Sequence, residues 1–160
     1  MVVQTLKKIL LSSSNSFPTE FKKILKNFNK DYQLDEDKIN ILYKAYLFGD
    51  KAHENQKRNS GEKYFHHCIE VCNQLIRWNM DLDTIIAGLL HDTIEDTDAT
   101  KEILIEEFGD SIATLVERVS KLSGIRFRDS KHKQTENFMK MFLSVSKDLR
   151  VIIIKFSDRL

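Results

Sequence analysis

Ile85-Ile86-Ala87-Gly88-Leu89-Leu90-His91-Asp92-Thr93-Ile94-Glu95-Asp96-Thr97 is the stretch on which the fold turns. Six residues without a polar side chain predict a helix end buried in the core. Four ionisable groups follow at once. A carboxylate taken out of water without a partner costs several kcal/mol, so Asp92 and its neighbours need a cation beside them. A divalent metal satisfies a histidine and an adjacent aspartate together.

Working outward, two further donor sets stand at the edges of apolar segments. His66-His67 opens a periodic stretch after Gly61-Glu62-Lys63-Tyr64-Phe65, and Asp158 follows Val151-Ile152-Ile153-Ile154-Lys155-Phe156-Ser157. One histidine before the His-Asp pair and one aspartate far after it complete an N/O ligand set. Imidazole with carboxylate suits Mn, Fe, Zn or Ni better than Ca and does not choose among them.

The rest of the chain reads as helix. With only 5 Gly and 1 Pro in 160 residues there is little turn chemistry for an all-β fold,. Short amphipathic spacing covers residues 2–11, followed by a Ser/Asn loop at 12–16. Phe21, Ile24, Leu25 and Phe28 mark a second helix. Asp35 caps a third, carrying Ile39, Leu42, Ala45, Tyr46 and Phe48 to about Gln56. Residues 57–63 form a loop, and Ile69, Val71, Cys72, Leu75 and Ile76 lie on a helix. Asp81 or Asp83 caps the helix that delivers His91. Two helices, 100–108 and 111–122, are divided at Gly109, and a basic loop at 123–133 leads to a helix over 134–146. The β-branched run 149–156 has no strand to pair with and is expected as a buried helix. Residues 1–34 are taken as N-terminal helices and 35–160 as the domain that carries these donor sets.

Composition excludes several classes. The net charge is +1, from 25 basic and 24 acidic residues, so no global field marks a nucleic-acid or membrane partner. The N-terminal apolar run is broken by Lys7 and Lys8 and lacks a cleavage site, and no stretch reaches membrane-spanning length; the expectation is a cytoplasmic protein. Cys68 and Cys72, four apart on one helix face, read as small buried side chains rather than a disulfide or a zinc pair.

Several spaced motifs then point to a family. Arg58-Asn59-Ser60-Gly61-Glu62-Lys63-Tyr64, the Ala87 to Thr97 segment, Phe108-Gly109, Val119-Ser120-Lys121-Leu122, Gln134-Thr135-Glu136-Asn137-Phe138 and Asp148 to Leu160 occur in order. Together they resemble the hydrolase domain of RelA/SpoT homologues, enzymes that degrade the alarmone (p)ppGpp. The resemblance covers roughly residues 40–160. It implies an all-α, HD-domain helical fold and one Mn²⁺ held by His67, His91, Asp92 and Asp158, with His66 a partly exposed neighbour. It implies catalytic roles for Glu95 and Asp96 in activating water or protonating the leaving oxygen, the alternative for both being to cap or orient. Arg58 would stack on the guanine, with Asn59 and Ser60 in the same nucleotide-binding loop. The implied reaction removes the 3′-pyrophosphate of ppGpp or pppGpp.

The chain also departs from the family. Asn59 stands where Lys is usual, and Cys68 replaces Pro after the ligand histidine. The His-Asn pair and later helices that complete the nucleotide pocket would follow Leu160, so the fold is expected to be incomplete at its C-terminus. Val151–Phe156 would then expose an apolar patch, to be covered by a homo-oligomer partner or a complementing chain. Two alternatives to the hydrolase remain: an inactive or split fragment that binds or regulates, and an HD phosphohydrolase for another nucleotide.

Overall fold

A computed structural model of the chain describes residues 17–28, 32–123 and 147–160. The helices and loops expected at 2–16 and 124–146, and the motif Gln134–Phe138, lie outside the described residues. Those described are helical, joined by short connections, with no strand beyond an isolated antiparallel bridge between Lys57 and Lys63.

The order is α1 (Thr19–Asn27), α2 (Glu36–Ala52), α3 (Phe65–Arg77), α4 (Leu82–Leu89), α5 (Thr93–Asp96), α6 (Lys101–Phe108), α7 (Asp110–Ser123) and α8 (Arg150–Arg159). Helix starts follow the capping residues. Asp35 accepts from the Lys38 amide at 2.9 Å, and Asp81, not Asp83, accepts from the Thr84 amide at 3.1 Å,. Asp83 instead accepts a hydrogen bond from Ser111 Oγ at 2.6 Å, which ties α4 to the start of α7.

α4 is the centre of the molecule. Thr84 to Leu89 are all buried, because α4 packs against α2, α3, α7 and α8; a helix apolar all round needs such enclosure. Gly88 permits the close approach to α3, since a Cβ there would run into the Leu75 side chain. α1 joins the same core, with Phe21, Ile24 and Leu25 buried beside α3. Each such side chain contributes about 1.5–3 kcal/mol relative to exposure.

Two helix ends fall short of the sequence expectation. α2 stops at Ala52 rather than near Gln56, because the Glu54 amide turns to the Lys51 carbonyl and the Gln56 amide to the His53 carbonyl, three residues back instead of four. α4 stops at Leu89, so His91 and Asp92 occupy the turn between α4 and α5. The 149–156 run is helical as expected, but it buries one side: Val151 and Ile154 are enclosed, whereas Phe156 is 65% exposed. Cys68 and Cys72 are free and buried.

Candidate metal centre

Three segments meet where α4 ends. His67 sits in the first turn of α3, His91 and Asp92 in the turn after α4, and Asp158 in the last turn of α8. Each is positioned by its own local device. Ser157, beside Asp158, is buried and donates from Oγ to the Val71 carbonyl at 3.2 Å, which pins α8 to α3. The His67 amide donates to the Tyr64 carbonyl at 3.0 Å, closing the turn that starts α3. His91 Nδ1 lies 2.8 Å from the Gly88 carbonyl; a carbonyl only accepts, so Nδ1 carries the hydrogen.

One ligand atom from each of His67, His91, Asp92 and Asp158 falls within 4.8 Å of the others. His67 Nε2 is 2.8 Å from Asp158 Oδ1, and His91 Nε2 is 2.9 Å from Asp92 Oδ2 and 3.4 Å from Asp158 Oδ1. Yet buried His91 Nε2 has no aligned hydrogen-bond partner. With Nδ1 donating to the carbonyl, Nε2 is the ring atom that faces two carboxylates. Such a constellation calls for positive charge at its middle.

The electrostatics agree. Burial alone would push His91 down, but its contacts with Asp158 and Asp92 outweigh that and lift it to about 9. Burial pushes Asp92 up, yet the His91 imidazole holds it below the ordinary carboxylate range. Asp158 is likewise held well below that range against burial, by His67, His91 and Lys155. Two imidazoles and two carboxylates match a divalent first-row ion in charge and in donor type.

The second carboxylate oxygen of Asp158 is also occupied: Lys155 Nζ lies 2.6 Å from Oδ2. On the opposite side, the Tyr64 hydroxyl donates to Asp92 Oδ2 at 2.7 Å and lies 3.2 Å from Asp96 Oδ2. Burial first, and then the Asp92 carboxylate, push the phenol upward, so it remains a donor. The Gln56 amide group donates to the Asp96 carbonyl, and Gln56 Oε1 is 2.8 Å from His53 Nδ1.

Of the other sequence-predicted residues, Glu95 and Asp96 are both exposed on α5, and Asp96 meets the centre through Tyr64. Arg58 shares a cleft of about 540 Å³ with His67 and Asp158, and its guanidinium is 3.9 Å from Glu70. Asn59 and Ser60 stand exposed in the loop, outside the lining of that cleft; Ser60 Oγ is 3.5 Å from Glu62. The loop itself is pinned, with the Arg58 amide donating to the Glu62 carbonyl at 2.8 Å. His66 stays out of the centre and meets Glu20 Oε1 at 2.9 Å. Sequence reasoning missed Lys155, Tyr64 and Gln56. Lys155 was findable, because three residues before Asp158 on a helix means the same face. Tyr64 and Gln56 carry no such signal.

Comparison with known proteins follows the same lines. Residues 45–160 match the HD-domain family. The chain is 48% identical over 135 residues to the guanosine-3′,5′-bis(diphosphate) 3′-pyrophosphohydrolase of Vibrio cholerae serotype O1, covering 84% of this chain and 19% of that protein. It is 49% identical over 126 residues to the bifunctional (p)ppGpp synthase/hydrolase SpoT of Escherichia coli K12, covering 79% of this chain and 18% of that one. The chain thus spans about a fifth of the length of these curated relatives. A solved metazoan SpoT orthologue, described as hydrolysing ppGpp, superposes with a TM-score of 0.60 at 27% identity, over 79% of this chain and 68% of that one.

Proposed function

The chain belongs to the HD-domain family, and from that premise we propose that it hydrolyses the 3′-pyrophosphate of ppGpp and pppGpp, in a Mn²⁺-dependent reaction giving GDP or GTP and pyrophosphate. The single observation that carries this is the gathering of His67, His91, Asp92 and Asp158 within 4.8 Å around an unpartnered, buried imidazole nitrogen. The relatives' names supply the substrate class.

These four residues would hold the ion. What a divalent cation supplies when bound there is a lowered pKa for the attacking water and neutralisation of charge on the attacked phosphoryl group. The chain's own groups do the rest. Glu95 and Asp96 take a proton from the water or return one to the departing 3′ oxygen, work suited to positioned carboxylates. Arg58, in the cleft that reaches His67 and Asp158, stacks its planar guanidinium on the guanine,. Asn59 and Ser60 complete the nucleotide loop. Water adds across the bond between the 3′ oxygen and phosphorus: hydroxyl goes to phosphorus and the proton to the nucleoside oxygen.

The test is incubation of purified protein with Mn²⁺ and ppGpp, following pyrophosphate release, with Asp92→Ala as control. Release that vanishes in the control is the expected result. No release from folded, metal-loaded protein would sink the hydrolase reading and favour a binding module.

A further inference from the structure

We infer that Tyr64 is a positioning residue for this reaction, clasping the metal-facing Asp92 to the catalytic carboxylate Asp96. The inference rests on the hydrolase reading for its kinetic arm and on geometry alone for its binding arm.

The phenol has a single hydrogen, and two carboxylate oxygens face it, at 2.7 Å from Asp92 and 3.2 Å from Asp96. The shorter contact takes most of the hydrogen. Charge-assisted O–H···O⁻ bonds of this length are the strong ones. Donation to Asp92 fixes the rotation of its carboxylate, and with it the direction in which the remaining lone pairs point toward His91 and Asp158. Asp96 closes on the other side of the same oxygen, so a shift of Asp92 is felt at Asp96.

The surroundings keep the clasp in place. The Tyr64 ring lies against His53, with centroids 5.1 Å apart, and edge-on to His67 at 6.0 Å. The Tyr64 amide donates to the Gln56 carbonyl at 3.0 Å. Gln56 in turn holds the Asp96 carbonyl with its side chain and is itself oriented by buried His53. One short loop end therefore grips Asp96 twice, through its main chain by Gln56 and through its side chain by Tyr64. Glu95, exposed on the same turn, has neither grip. The two adjacent carboxylates, both exposed, are thus held differently: Asp96 is tied to the centre through Tyr64 and Gln56, and Glu95 is not.

Tyr64→Phe removes only the hydroxyl and leaves the ring packing intact. Mn²⁺ titration by calorimetry, without nucleotide, is expected to show affinity weakened about 10-fold, the low end for loss of a partner behind a metal ligand. In ppGpp turnover, kcat is expected to fall about 10-fold with KM unchanged, again on the scale of outer-partner loss. Asp96→Asn added to Tyr64→Phe should cost less than the product of the two single losses. Unchanged Mn²⁺ affinity in Tyr64→Phe, no Mn²⁺ binding by the parent, or losses that simply multiply would each overturn the clasp. A parent that binds Mn²⁺ yet releases no pyrophosphate would remove the hydrolase reading, and the affinity comparison alone would then decide on Tyr64.

Discussion

Lys155 Nζ lies 2.6 Å from Asp158 Oδ2, while the other oxygen of the same carboxylate faces His67 Nε2 at 2.8 Å. The ammonium thereby reserves one oxygen and leaves the other for the centre. Both side chains are largely buried, at 17% and 14% exposure. A carboxylate so divided would offer a cation one oxygen. Lys155→Met keeps the aliphatic stem and removes the charge. It is expected to weaken Mn²⁺ binding about 10-fold, read by calorimetry, and a variant that binds as tightly as the parent would deny Lys155 this part.

Metal loading is expected to stabilise the fold. Free Mn²⁺ at 100 times its dissociation constant adds about 2.7 kcal/mol, which for a chain of this size raises Tm by about 5–10 °C. Differential scanning fluorimetry with and without Mn²⁺ measures this. In Asp158→Asn the increment should shrink or disappear, because that ligand oxygen loses its charge; an equal increment in both proteins would place the ion elsewhere.

Gly88→Ala places a methyl group against Leu75 between α4 and α3. Overpacking of this kind costs about 1–3 kcal/mol, to be read from urea denaturation. Adding Leu75→Ala opens room and should make the Gly88→Ala penalty smaller in that background. Strict additivity of the two would show that the crossing is not as close as described.

Acid stability carries a contribution from Asp148. Its carboxyl accepts from the Arg150 guanidinium at 2.7 Å, and that contact holds it below the usual carboxylate range. A depressed folded pKa stabilises the protein above the unfolded value of about 3.9 and loses that contribution as pH falls through the lower folded value. Asp148→Asn should therefore be less stable than the parent at neutral pH, with the two urea midpoints converging in strong acid. Midpoints that keep a constant gap across the range would contradict this assignment.

How much of this was legible beforehand depended on whether the governing interaction was local. The helix cap at Asp35 sits one turn from the amide it accepts from, and sequence spacing finds such pairs. The choice between Asp81 and Asp83 did not resolve, because Asp83 is occupied by Ser111, 28 residues away. His91 and Asp92 stood out through the apolar run before them, whereas the choice of His67 over His66 came from the family motif. The structure gives the physical difference: His67 turns toward Asp158 and His66 toward Glu20. Tyr64 reaches Asp92 across 28 residues and Asp96 across 32. No periodicity encodes a contact of that range. The apolar run 149–156 was read correctly as helix, but its exposed side, ending in Phe156, follows from which neighbours cover it.

The His91 ring is oriented by a main-chain atom, the Gly88 carbonyl. A side-chain partner could be lost to a single codon change, but every residue type supplies a carbonyl at position 88. The tautomer of this imidazole is thus set by the path of the backbone, and a substitution at position 88 reaches it only by moving that backbone against Leu75. To turn this ring away, a substitution must change His91 itself or disturb the backbone at the end of α4.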